Sequence, residues 1–172
     1  MKRILVLGCG GAGKSTFSKE LHKKLGYELI HLDCHFWLPG WEMIEKEKFD
    51  SMLDDFVSRE EWIMDGNYSR TIDKRLDRAD TVVYFDFPRW RCLYNAVMRM
   101  VKGKLFKKER SDITAGCEEK FDMEFYRWIW NFNKNNRAGN IARLEQVKES
   151  KKVYIVRNYR QKRELLETIC RI

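Results

Sequence analysis

The chain has 172 residues, a formal net charge of +8 and 35% charged residues; that length suits one domain with a real core rather than two. Cys9, Cys34, Cys92, Cys117 and Cys170 are scattered with no C-x-x-C pair, which argues against a disulfide framework and for a reducing cytoplasm. No apolar run approaches a membrane span and residues 1–9 do not read as a leader, while the basic surplus favours polyanions without choosing among nucleic acid, acidic lipid and nucleotide phosphates.

In chain order, Arg3 to Leu7 reads as a short apolar strand. Phe17, Leu21 and Leu25 give Lys14 to Leu25 one helical face, stopped by Gly26. Tyr27 to Leu32 reads as a second strand, Pro39-Gly40 as a turn and Lys46 to Ser58 as a helix. Trp62 to Met64 is a short strand, and Thr71 to Leu76 a helical turn or two. Thr81 to Phe85 (TVVYF) is β-branched, aromatic and unbroken, so it is expected to be buried on both faces. A helix over Trp90 to Val101 follows Pro88.

Lys102 to Gly116 is basic and irregular. Phe121, Phe125, Trp128 and Phe132 then share a helix face, and helix resumes through Ile141 and Leu144 after Asn135-Asn136. Lys152 to Val156 is the last strand and Lys162 to Ile172 the last helix. This alternation predicts an α/β fold around a parallel sheet. The expected organisation is a single domain over 1–172, with the departure at about 102–150 read as a lid and its returning helix.

Between the first strand and helix lies GCGGAGKST. Gly8, Gly10, Gly11, Ala12, Gly13, Lys14 and Ser15 match or fill G-x-x-x-x-G-K-[ST] in the required strand–loop–helix context. Glycines let successive N–H groups turn toward one anion, and the helix adds its positive end. Lys14 brings a full charge to the β- and γ-phosphates, and the Ser15 hydroxyl, followed by Thr16, is placed for Mg²⁺. The expected cofactors are therefore ATP and Mg²⁺.

A phosphate loop needs a carboxylate on a neighbouring strand. Asp86 follows TVVYF directly and is expected near the metal; capping the next helix is the competing reading. Asp33, at the end of the second strand, either accepts a substrate hydroxyl proton or holds a metal water, against a solvated loop aspartate. Zinc at His31, Cys34, His35 and Cys9 fits no structural spacing. Phe36, Trp37, Trp41 and Tyr68 form either an aromatic acceptor pocket or local core. Trp128, Trp130 and Phe132 read as packing residues.

With these pieces placed, the chain resembles a small P-loop kinase of the adenylate kinase type. In finer detail it resembles the DNA topology modulation (FlaR-related) proteins. The residues that carry the resemblance are HLDCHFWLPGW (31–41), EWIMDGNYSRT (61–71), FDFPRWRCL (85–93) and RSDITAGCEEKFDMEFYRWIWNF (110–132). The resemblance implies a five-stranded parallel sheet flanked by helices, a substrate flap at about 35–60 and a basic lid. It also implies arginines that clamp the transferring phosphoryl, matched here by Arg99 and Arg110, with Arg137 a further candidate. The loop carrying Asn158 is implied to wrap the base of ATP. Asn95 stands where those kinases carry an arginine beside adenine. DGNYSRT is one residue longer than their D-G-F-P-R-T, so Asp65, Tyr68 and Arg70 are acceptor-side candidates in an altered register.

The reading that follows is an ATP/Mg²⁺-dependent phosphotransferase acting on a small acceptor, nucleosides and nucleotides among the candidates. The alternative is a nucleotide-binding regulatory protein that touches DNA and whose kinase activity is weak or lost; the basic run from Arg89 to Arg110 would suit a phosphate backbone, although no nucleic-acid motif is visible.

Overall fold

The computed structural model describes residues 1–106, 110–118 and 120–169. In chain order the elements are β1 (Arg3–Gly8), α1 (Lys14–Leu25), β2 (Leu29–His31), α2 (Asp33–Phe36), β3 (Trp37–Leu38), β4 (Glu42–Met43), α3 (Lys46–Ser58), β5 (Trp62–Asp65), α4 (Ile72–Arg78), β6 (Thr81–Phe85), α5 (Arg89–Phe106), α6 (Met123–Phe132), α7 (Ala138–Val147), β7 (Lys152–Val156) and α8 (Tyr159–Ile169). Five strands form one parallel sheet in the order β2-β5-β1-β6-β7. β3 and β4 form a separate antiparallel hairpin.

The near-continuous apolar character of β1 and β6 follows from burial on both faces. Ile4, Val6, Val83 and Phe85 point to one side and pack with Phe17 and Leu21 of α1, Cys92 and Ala96 of α5, and Ile129 and Phe132 of α6. Their neighbours Leu5, Leu7, Val82 and Tyr84 point to the other, against Phe49 and Leu53 of α3, Ile72 and Leu76 of α4, and Leu144 of α7. Each fully buried side chain of this size is worth about 1.5–3 kcal/mol over its exposed state. A charge at Val83, which is 0% exposed, would find no partner between the two layers. The register brings the ends of β5, β1 and β6 to the same edge: β5 ends at Asp65 opposite Val6, and β1 runs on to Gly8 opposite Phe85, the end of β6. Whatever follows these strands is therefore gathered at one edge of the sheet, where ligands bind in open α/β sheets.

Several expected boundaries move. β2 covers Leu29–His31 only, and α5 runs on to Phe106, so Lys102 and Lys104 are helical rather than irregular. Lys107, Lys108 and Glu109 of the expected basic lid lie outside the described residues, as does Cys170. The helix does not stop at Asn135-Asn136. A π-helical turn over Asn133–Arg137 joins α6 to α7. The buried face of α6 is Tyr126, Ile129 and Phe132; Phe125 and Trp128, expected on that face, lie one step round the helix from it. α8 begins at Tyr159, earlier than expected, because Asn158 caps it by accepting from the Gln161 N–H at 2.9 Å.

Candidate active site

The phosphate loop leaves β1 and enters α1 at the C-terminal edge of the sheet. Its shape depends on missing side chains. Gly11 has φ 77°, and a Cβ there would stand 2.2 Å from the Cys92 carbonyl oxygen. No other residue type fits without moving α5. Lys14 donates to the Cys9 carbonyl at 3.1 Å, folding its ammonium over the loop. Asn95 on α5 donates to the Gly11 carbonyl and to the Tyr159 hydroxyl, both at 2.8 Å. So Asn95 fastens the loop from outside. Phe125 and Trp128 stack at 15° and 6.0 Å beside Gly10, whose added Cβ would meet them at 3.1 and 3.3 Å.

Opposite the loop stands Asp33, the first residue of α2. The Tyr68 hydroxyl donates to its Oδ1 at 2.6 Å. Burial pushes the Asp33 carboxyl above its usual range; the Tyr68 hydrogen bond and Lys14 oppose that shift, and nearby Asp65 adds to it. Lys14, Ser15, Thr16, Asp33, Trp37, Tyr68, Arg99 and Arg110 line one cavity of about 860 Å³. Trp41 lines it too, with φ 68°, the one left-handed φ outside glycine among the described residues. Such strain persists only where surroundings enforce it. Here the Trp41 indole donates to the Glu118 carbonyl at 2.9 Å, and Trp37 packs edge-on at 5.6 Å. On the far wall Arg110 forks onto Asp112, with Nη2 to Oδ2 at 2.8 Å, and Lys19 of α1 reaches Asp112 Oδ1 at 3.1 Å. Burial alone would raise the Asp112 carboxyl, but Arg110 and Lys19 outweigh it and hold it well below the usual range.

Other expected residues lie elsewhere. Asp86 does follow β6, but both its oxygens accept from Arg137, at 2.7 and 2.8 Å, and its side chain is 5% exposed. The π-helical turn delivers Arg137 to that spot. Neither residue lines the cavity. Of the two residues expected for the metal, only Ser15 lines it. Asp65 is 4% exposed and pairs with His31 Nδ1 at 2.7 Å. Arg70 turns outward to Asp50 at 2.6 and 2.8 Å, and Asn158 is spent on its helix cap.

Three contributors escape the motif. Asn67 and Asn95 bind the loop, and Arg75 is 0% exposed on α4. Asn67 lies inside the quoted DGNYSRT stretch, and its position after β5 was the available signal. Arg75 gives no sequence signal, since a helical arginine reads as a solvated face.

Two solved structures have a similar fold. A shikimate kinase from Acinetobacter baumannii in complex with shikimate superposes with a TM-score of 0.56 at 20% identity, covering 98% of this chain and 90% of that one. A deoxyadenosine kinase from M. mycoides with bound dATP gives a TM-score of 0.54 at 16% identity, covering 100% of both chains. The fold is that of the P-loop kinases. No family model and no curated protein matches the chain. The resemblance to DNA topology modulation proteins therefore finds no support in the comparisons, and the alternative reading as a DNA-touching regulator is not favoured. Among the described residues no helix is long and apolar enough to cross a membrane.

Proposed function

We propose that the protein is a phosphotransferase that moves the γ-phosphoryl of ATP to a hydroxyl of a small acceptor. One observation carries this: Lys14 of the phosphate loop and the Asp33 carboxyl line the same cavity. The fold is compatible, since both similar structures are kinases by name.

In this reading the loop amides and the positive end of α1 hold the donor phosphates, and Lys14 neutralises charge on the transferring group. The acceptor oxygen forms its new bond to the γ-phosphorus as its proton passes to Asp33, while the bond from that phosphorus to the bridging β-phosphate oxygen breaks and ADP leaves. A carboxyl raised by burial suits that role, because it holds a proton more readily than a solvated one. Tyr68 fixes the orientation of Asp33. Arg99 and Arg110 border the same space and bring positive charge to it.

The residues present fit a Mg²⁺ that arrives with the nucleotide. Ser15 offers a hydroxyl in the cavity, and phosphate oxygens and waters complete an oxygen shell of the kind this ion prefers. When bound, the ion neutralises phosphate charge.

Trp37, Trp41 and Tyr68 wall the acceptor side, which favours a planar or ring-shaped acceptor. The test is ADP formation against a panel of nucleosides, nucleotides, sugars and hydroxy acids. Stimulation by one ring-bearing hydroxyl compound, lost in Asp33→Asn, is the expected result. ADP release indifferent to every acceptor and to Asp33 would overturn the assignment.

A further inference from the structure

β1 is longer than its neighbour on one side. Its pairing with β5 ends at Val6 opposite Asp65, yet β1 runs two residues further, to Gly8. The N–H and C=O of Gly8 on that side have no strand to pair with, and buried main-chain groups need partners. The side chain of Asn67 supplies both. The Gly8 N–H donates to Asn67 Oδ1 at 3.0 Å, and Asn67 Nδ2 donates to the Gly8 carbonyl at 2.6 Å. One amide side chain thus continues the parallel ladder by a single rung, at the residue where the phosphate loop begins.

The segment that carries Asn67 also carries Tyr68, which holds Asp33. It cannot hold its own shape by regular structure. Gly66 has φ 140°, with Leu32 placed where a Cβ would stand at 2.8 Å, and Tyr68 leads directly into a short 3-10 turn. Its carbonyls turn inward to one cation. Arg75, 0% exposed, donates to the Gly66 carbonyl at 2.7 Å, Asn67 at 3.2 Å, Tyr68 at 2.8 Å and Thr71 at 3.3 Å. Burying a guanidinium is costly unless its donors are satisfied. Here the donors are spent on main-chain oxygens, a use that a lysine cannot copy with its single nitrogen. Burial lowers the Arg75 pKa to about 9, which leaves it charged at neutral pH.

We propose that Arg75 is a positioning residue: it locks the 66–68 segment into a bridge whose Asn67 sets the phosphate loop and whose Tyr68 sets the Asp33 carboxyl. The bridge fixes the separation of donor phosphate and acceptor base, the quantity on which in-line transfer depends most steeply. Its link to catalysis rests on the phosphotransfer reading; the coupling of Arg75 to Gly8 does not.

The test uses the full chain. Residue-resolved amide hydrogen exchange at Gly8 is compared in wild type, Arg75→Lys and Asn67→Ala, with global unfolding and the exchange of the β6 amides as controls. Calorimetry with ATP and Mg²⁺ supplies the second readout. Arg75 makes no bond to the phosphate loop, so a merely structural role would loosen Gly8 only as far as the whole protein. The bridge instead predicts Gly8 exchange in Arg75→Lys raised roughly tenfold beyond the global change, ATP affinity down by a similar factor, and no further loss when Asn67→Ala is added. Gly8 exchange that follows only global stability in Arg75→Lys overturns the proposal. Should Arg75→Lys fail to fold, Asn67→Ala decides: an unchanged Gly8 amide overturns the bridge and a loosened one supports it. A wild type that binds no ATP but shows the exchange coupling would instead sink the donor-site reading and leave the bridge standing.

Discussion

The phosphate loop and the aromatic wall across from it border one cavity, yet they are held by different means. The loop grows out of β1, whose residues Ile4 to Val6 are 0% exposed, and it rests against α5. Its geometry comes from a continuous stretch of chain on the best-packed part of the molecule. The wall is a two-stranded hairpin near the surface, with Leu38 and Met43 exposed. It is held by bonds between distant segments. Thr114 donates to the Cys34 and Trp37 carbonyls, the Cys117 thiol to Leu38 and the Trp41 indole to Glu118, across 77 to 80 residues of chain. Segments with few buried contacts open at lower free energy than a core. The phosphate-loop side is thus preorganised by the sheet, and the aromatic side by a small set of replaceable contacts.

Substitutions on the two sides should separate this contrast. The largest effect is expected from Asp33→Asn: acceptor phosphorylation falls about 10²–10⁴-fold while ATP affinity is retained, as read by turnover and calorimetry. Equal losses in both would erase the distinction. The pH profile sharpens it. In the proposed reaction Asp33 serves as a base only when ionised, so activity should rise with pH through its raised pKa, above the usual carboxylate range, and that limb should vanish in Asp33→Asn. The linkage to stability has the opposite sign. The raised group favours the folded state at low pH and loses that contribution as pH rises through the folded-state value.

Next comes Arg137→Ala, which removes both short hydrogen bonds to the buried Asp86 carboxylate and leaves it only Arg157, at 3.7 Å; unfolding free energy should drop by about 1–3 kcal/mol, measured by denaturant titration. Asp112→Asn should cost about 1–2 kcal/mol at neutral pH. The Asp112 carboxyl is depressed, so the wild-type advantage is present above the usual carboxylate range and fades as pH falls through and below it. Smallest is Thr114→Val, about 0.5–1.5 kcal/mol, with the loss confined to hydrogen exchange around 34–41 and absent from the loop. Loosening of both sides by Thr114→Val would show that they form one unit.

The same contrast governs what could be read from the residues alone. The loop was legible because its signal is local: glycines, Lys14 and Ser15 lie within one short stretch between two periodic segments. The central strands β1, β5 and β6 were legible because burial on both faces leaves apolar runs. Asp33 and Tyr68 were picked out separately, and their 2.6 Å contact required the fold. The hairpin was missed because its strands are two residues each, too short for any period. Continuity through Asn133–Arg137 was missed because paired asparagines read as a break, whereas packing on either side carried the helix across as a π turn. Asp86 was singled out for the metal and Arg137 for the transferring phosphoryl, but in the fold the carboxylate and the guanidinium satisfy each other.

The most direct test follows the γ-phosphoryl itself. With γ-labelled ATP, Mg²⁺ and the stimulating acceptor, label should appear in the acceptor, and its transfer should fall about 10²–10³-fold in Lys14→Ala. Label recovered only as inorganic phosphate, at a rate that Lys14→Ala leaves unchanged, would contradict phosphotransfer at this site.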